Sequence, residues 1–354
     1  MTTTSKNALI SNRNALFDNF RGILIFVFVM LAVLGGIYRY NDAANLPAWV
    51  FDHARGLPIG IGGSPFTPVD LGMIFFYFIG AMVAVPSYKK RMVRDGKGSA
   101  RSHLFTRNIG LIGIGAVMYL IAGIASQSET PGAWGPLHSI GFTGLLTMLF
   151  LGLKPVWRAV SGAAFITLHD VFSQYVYKFL NTPNFSSDGG FAVCLMYAGF
   201  FLITTVLFDL YRINFILFLM GFLPILAVTI TIYGTVPPTC YPYNFTFFAV
   251  TYCAVTILFI IYYLLHKGFA ALFEKYVFKH STSQMIPLIG RMGRNLLFYF
   301  VARYPIAALF QILYNAFLWR AGLVGAGIIV SVAAIGIFIG FEALFNKRNW
   351  VVKL

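Results

Sequence analysis

Residues 190–210, GFAVCLMYAGFFLITTVLFDL, and residues 213–233, INFILFLMGFLPILAVTITIY, are parted only by Tyr211 and Arg212. Each stretch is long enough for a helix rising about 1.5 Å per residue to cross the roughly 30 Å of a bilayer's hydrocarbon. Asp209 is the one acidic residue in the pair. A soluble helix of that length keeps a polar face, and these stretches have none. They read as a helical hairpin in lipid.

Working outward, eight further apolar segments repeat the pattern: Gly22 to Tyr38, Val69 to Tyr88, Asn108 to Ala125, Leu137 to Leu153, Ala159 to Phe179, Phe245 to Leu265, Leu296 to Leu318 and Val324 to Phe345. The expectation is an all-α polytopic membrane helix bundle of about ten transmembrane helices. Composition agrees: 58% of the chain is hydrophobic and 10% charged, more apolar surface than one soluble core can hide. The polar leader Met1 to Asn19 runs into a first span without a good small-residue cleavage site, which reads as a start-transfer segment and not a signal peptide.

Charge fixes the expected orientation, because lysines and arginines are retained on the cytoplasmic side during insertion. With the amino terminus inside, all but five of the 26 basic residues are cytoplasmic. Arg39, Arg55, Lys178 and Arg320 fall outside, and Arg303 falls within a span. Residues 1–21 then form a cytoplasmic segment, 22–345 a membrane domain and 346–354 a cytoplasmic tail, with the plasma (inner) membrane the expected location. The net charge of +15 follows from this topology and from anionic headgroups. Nucleic acid is not an expected partner, since no soluble basic domain is present to hold it.

Cys194, Cys240 and Cys253 have no metal-ligand spacing, so no metal is expected; a Cys194–Cys240 disulfide is one reading and three small apolar residues the other. Asn184-Phe-Ser186 and Asn244-Phe-Thr246 match glycosylation sequons on outward loops. Two inward loops are long, Lys89 to Arg107 and His266 to Arg294. In the second, Phe269, Leu272, Phe273, Tyr276 and Val277 recur at helical spacing, as in a helix lying on the bilayer. The glycines Gly110, Gly113, Gly115, Gly336 and Gly340 fit close helix packing. No internal repeat of the transporter kind is visible.

Ionisable groups within hydrocarbon require a partner or a role. His169 and Asp170 in the fifth span and Arg303 in the ninth allow a structural Asp170–Arg303 pair or a polar pathway; Asp209 and Glu342 sit near the inner surface. The outward loop Arg39 to Pro68 carries Asp42, Asp52, His53 and the run Gly60, Gly62 and Gly63. His53 beside a carboxylate is either a solvated loop histidine or a general base able to exchange a proton near neutral pH. Asp70 either caps the second span or orients that imidazole.

Several motifs recur in an order known from one family. Arg13-Asn-Ala-Leu-Phe-Asp18-Asn-Phe-Arg21-Gly22 opens the first span. Trp49-Val-Phe-Asp-His53-Ala54, Phe66-Thr67-Pro-Val-Asp70-Leu71 and Phe75-Phe76-Tyr-Phe78-Ile-Gly80 follow. Then come Trp134-Gly-Pro-Leu-His138-Ser-Ile-Gly141, Asp188-Gly189-Gly190 and Pro287-Leu-Ile-Gly-Arg-Met-Gly293-Arg294-Asn295-Leu296. Over most of its length the chain resembles the heparan-alpha-glucosaminide N-acetyltransferase-like membrane proteins. It departs from them in a longer interval between His53 and Asp70, and at Val33 or a neighbour, where the family has an asparagine.

The resemblance implies an acetyltransferase that takes an acetyl group from cytoplasmic acetyl-CoA and delivers it to an extracytoplasmic sugar, with His53 as the active-site histidine and Asp70 beside it. Arg21, Arg101, Arg107, Arg291, Arg294 and Asn295 are the candidate CoA ligands, because phosphates call for fixed cations on the inner surface; the positive-inside rule alone would also put arginines there. Trp49, Trp134, His138 and Asp188 are the candidate acceptor residues, the tryptophans doubling as interfacial anchors. The partners expected are acetyl-CoA, a sugar acceptor and the lipid bilayer, with a homodimer left open. The competing readings are a secondary transporter or flippase using His169, Asp170 and Arg303, and an inactive scaffold.

Overall fold

The computed structural model describes residues 15–38, 71–126, 134–179, 190–236, 238, 244–276, 287–348 and 350. They form eleven α-helices and, among the described residues, no strand. In chain order these are α1 (Ala15–Tyr38), α2 (Leu71–Asp95), α3 (Lys97–Ser126), α4 (Pro136–Met148), α5 (Pro155–Phe179), α6 (Gly190–Ile213), α7 (Phe215–Tyr233), α8 (Phe245–Tyr276), α9 (Pro287–Arg294), α10 (Leu296–Ala316) and α11 (Gly322–Arg348). Seven of them, α1, α2, α6, α7, α8, α10 and α11, are long and apolar enough to cross a membrane. The protein is an all-α, multi-pass membrane bundle. Of the three other expected spans, α4 is the clearest departure: 13 residues rise only about 20 Å, short of the hydrocarbon thickness.

The expected inner loop from Lys89 to Arg107 is helix. α2 continues past its apolar stretch to Asp95, and Gly96 alone, at φ 86°, turns the chain into α3. Only a residue without Cβ adopts that conformation cheaply, which is why the turn falls at glycine. Tyr88, Ala100 and Leu151 are buried together beside this turn. The hairpin at Arg212 is equally short. α6 runs to Ile213, and the Asn214 side chain accepts from the Ile216 amide at 3.0 Å to cap α7. The helical spacing from Phe269 to Tyr276 belongs to the last turns of α8, not to a separate surface helix; Val277 lies outside the described residues.

α2 to α7, with α8 as far as Thr256, form one compact unit; α1, the rest of α8 and α9 to α11 form another. In the first of these, α5 lies against α6 through glycines the sequence did not mark: a Cβ at Gly162 would stand 2.9 Å from the Gly199 carbonyl oxygen, and one at Gly199 would stand 2.5 Å from Ile166. Gly115 meets the His138 ring as expected of close packing, whereas Gly113, Gly336 and Gly340 meet nothing within 4 Å among the described residues. Phenylalanine divides between lipid and core: Phe78, Phe208, Phe218 and Phe248 are fully buried, while Phe172 and Phe191 are exposed. The exposed face of α7 carries Ile216, Met220, Leu223 and Ile230, a surface suited to lipid.

Several hydroxyls inside these apolar helices are satisfied by their own backbone. Thr147 donates to the Thr143 carbonyl, Thr204 to Phe200, Thr251 to Phe247 and Thr256 to Tyr252. Where no water reaches, a hydroxyl that finds the preceding turn is compatible with a spanning helix.

At the basic end of this unit Arg158 is completely buried. It donates to Thr205 at 2.6 Å and to the Leu153 carbonyl, and it pairs with Asp209. Asp209 also accepts from Arg212 at 2.6 Å, and Arg212 donates to the Met82 carbonyl. α5, α6 and α2 are thus tied at one level. Breaking a buried pair costs about 3–5 kcal/mol because it leaves a charge uncompensated. Asp209→Asn strands the sealed Arg158 and should lower the melting temperature in detergent sharply. Arg158→Met leaves Asp209 with Arg212 and should cost clearly less; equal losses would show that the pair is not the tie described here.

Candidate functional site

In the unit containing α1 and α9 to α11, two sequence motifs far apart in the chain meet. The Asp18-x-x-Arg21-Gly22 element lies in the first turns of α1, and the Gly290-Arg291-Met-Gly293-Arg294-Asn295 element makes the end of α9 and the break before α10. The approach is close enough to require glycine. A Cβ at Gly293 would collide with the Asp18 carbonyl oxygen and stand 2.9 Å from the Gly22 nitrogen, and one at Gly290 would stand 2.6 Å from Asn19 Oδ1.

Three arginines and two carboxylates gather around this contact. Asp18, almost fully buried, lies 3.7 Å from Arg21 Nη1 and 3.6 Å from Arg294 Nε. Glu342, wholly buried on α11, accepts from Tyr299 Oη at 2.6 Å and lies 3.7 Å from Arg291 Nε. The contacts of Arg291 and Arg294 with these carboxylates exceed hydrogen-bond length, so charge balances charge there without a hydrogen-bonded pair for a phosphate to break. The Arg294 side chain is 44% exposed and that of Arg291 32%. Asn295, buried, holds the break: its amide donates to the Arg291 and Met292 carbonyls, and its own carbonyl accepts from the Tyr299 amide at the start of α10. Of the six expected CoA ligands, four therefore stand in one cluster: Arg21, Arg291, Arg294 and Asn295.

Arg101 and Arg107 belong to the other unit, both exposed on α3. Nearby, burial and the neighbouring Arg91, Arg107 and Arg94 hold the His103 imidazole below its ordinary pKa, with Asp95 opposing them.

Trp134 and His138 also come together, in the arrangement that starts α4. The Gly135 amide donates to His138 Nδ1 at 3.1 Å, and Trp134 Nε1 donates to Ser139 Oγ at 2.7 Å. The two rings lie 5.5 Å apart. These polar atoms fix the helix start, and Gly135 itself is pressed against the Tyr119 ring.

His53, Asp70, Trp49 and Asp188, together with the loop Arg39 to Pro68, lie outside the described residues, as do Cys240 and Asn184. Cys253 Sγ lies 3.4 Å from Thr229 Oγ1, and Cys194 Sγ lies 3.7 Å from the Gly190 carbonyl. The Asn244 side chain accepts from the Phe247 amide to cap α8. His169 is buried against Phe248 with no hydrogen bond to either ring nitrogen, beside the exposed Asp170. Arg303 is packed among rings. Among the described residues no group of three or more histidines, cysteines or carboxylates is disposed to hold a metal. Sequence reasoning missed Arg158 and Tyr299; the spacing of Thr205 and Asp209, one turn apart on one helix face, was the available signal for the first.

No protein family and no curated protein matches this chain.

Gly293→Ala forces α9 off α1 against backbone atoms that cannot swing aside, and overpacking of that kind costs about 1–3 kcal/mol. Gly336→Ala meets no described neighbour and should leave stability unchanged or slightly raised. Melting curves of the two variants in one detergent decide the point; equal curves would mean that the α1–α9 contact is looser than described.

Proposed function

We propose that the chain is a transmembrane acyltransferase that moves an acetyl group from cytoplasmic acetyl-CoA to an extracytoplasmic amino sugar or sugar of a glycan or envelope polysaccharide. The observation that carries this reading is the meeting of the Asp18–Arg21–Gly22 and Gly293–Arg294–Asn295 elements. Two motifs of the family resemblance, more than 250 residues apart, build one cationic cluster in which Arg294 is exposed and Arg291 partly so. CoA carries several phosphate charges, and such a cluster is the chemistry that would hold them. In this reading the bundle has about ten spans with both termini in the cytoplasm of the plasma membrane, and the His53 loop faces outward. His53 takes the acceptor's proton or carries the acetyl group itself, and Asp70 orients its imidazole.

A second reading, a secondary transporter or flippase of a sugar or lipid-linked substrate, draws on one observation: His169 is buried with both ring nitrogens unbonded, as a proton-coupled group would be.

Purified protein in nanodiscs separates the two. Calorimetry should detect acetyl-CoA binding, and glucosamine-type acceptors should release free CoA. His53→Ala should retain binding and lose turnover. Arg294→Gln should weaken acetyl-CoA at least tenfold, about 1.4 kcal/mol, the scale of one charge-assisted hydrogen bond, and raised salt should weaken binding further. A wild-type protein that binds no acetyl-CoA would sink the acyltransferase and favour the transporter.

A further inference from the structure

Arg303 stands seven residues into α10, about 10 Å above that helix's start, and its side chain leans back toward the basic end as helical side chains do. The residue is 8% exposed. Its guanidinium carbon lies 4.0 Å from the centre of the Phe300 ring, 4.4 Å from that of Phe28 and 4.6 Å from that of Tyr304. Phe28 and Phe300 are themselves near-parallel, 6.1 Å apart. Nη2 donates to the Tyr304 hydroxyl at 2.8 Å.

Among the described residues no carboxylate pairs with this charge. In its unit the described carboxylates Asp18 and Glu342 are both engaged at the basic end, by Arg21, Arg294 and Arg291. One hydrogen bond leaves most of the five guanidinium donors unused, and the nitrogens without a bond are not sealed inside the protein. Ring faces attract a cation but accept no hydrogen bonds in its plane. The guanidinium is therefore packed against three rings and keeps unbonded N–H groups that are not sealed in, the donors an oxyanion would use. Its setting is aromatic and apolar: Phe28, Phe300 and Tyr304 surround the guanidinium, and Tyr304 is 42% exposed on the surface expected to meet lipid.

We infer that Arg303 is an oxyanion site within the α1–α10 pair that takes the head group of an anionic amphiphile, a single phosphate or carboxylate carried on an apolar chain. The site is independent of acetyl-CoA, whose multiple charges match the three-arginine cluster and not one guanidinium in an aromatic setting.

The test is native mass spectrometry of protein released from nanodiscs of phosphatidylcholine and phosphatidylglycerol, with melting curves in parallel. Wild type should retain one phosphatidylglycerol through detergent exchange. Arg303→Gln should reduce that retention at least tenfold, and Arg303→Lys should keep part of it, because an ammonium group lacks the planar fork. Arg303→Gln removes an unneutralised ion, so it should fold, and its melting temperature should not respond to phosphatidylglycerol while that of wild type rises. Oleate in place of phosphatidylglycerol distinguishes a carboxylate head from a phosphate. Equal retention by wild type and Arg303→Gln, or equal retention of phosphatidylcholine by wild type, overturns the site. Inorganic phosphate that displaces the lipid and matches its thermal effect overturns the amphiphile.

Discussion

A charge taken out of water is tolerable only where an opposite charge or a hydrogen-bond partner reaches it, and three carboxylate–arginine groups here obey that constraint at the basic ends of the helices. Asp209 is held by Arg158 and Arg212, Asp18 by Arg21 and Arg294, and Glu342 by Tyr299 and Arg291. Each arrangement joins helices that hydrophobic burial alone would leave free to slide, since lipid chains solvate an apolar helix as well as another helix does. Position along the axis is set by these charges. Close approach is then set by glycine, at Gly162 against Gly199 and at Gly293 against Asp18.

Hydropathy made the long helices legible because a span is defined by length and apolarity, both written in the chain. The ends were less legible. A lysine- and arginine-rich stretch reads as a loop, yet residues 89–95 and 97–107 are helical, because those side chains are good helix formers and Arg91 pairs with Asp95 one turn on. α4 was read too long for a related reason. Its apolar residues continue to Leu153, but Phe150 and Leu153 close turns instead of extending the helix. Packing glycines could not be told from idle ones, since Gly115 and Gly113 differ only in which face of α3 they occupy.

For the candidate site, sequence supplied the residues and the structure supplied their company. Arg21, Arg291, Arg294 and Asn295 could be named from motifs, but nothing in the one-dimensional pattern says that Gly293 seats on Asp18. Arg101 and Arg107 shared the same expectation because positive-inside counting treats all inner arginines alike. Trp134 and His138 lie side by side, and their duty in holding the start of α4 is a hydrogen-bond arrangement that spacing alone does not reveal.

Pairing and exposure together sort the arginines by what each can do. Arg158 is sealed, hydrogen-bonded and paired, so it has nothing left to offer a ligand and serves as a strut. Arg294 is partly exposed and only loosely countered, so an incoming phosphate can compete for it without first breaking a hydrogen-bonded pair. Arg303 is intermediate. Rings hold it, and cation–π attraction in a desolvated setting amounts to about 2 kcal/mol or more, against a desolvation cost of several kcal/mol for an isolated ion. The two terms do not balance by rings alone. The residual cost is what an anion arriving at the unbonded N–H groups would remove, so the position is one where binding and stability are coupled.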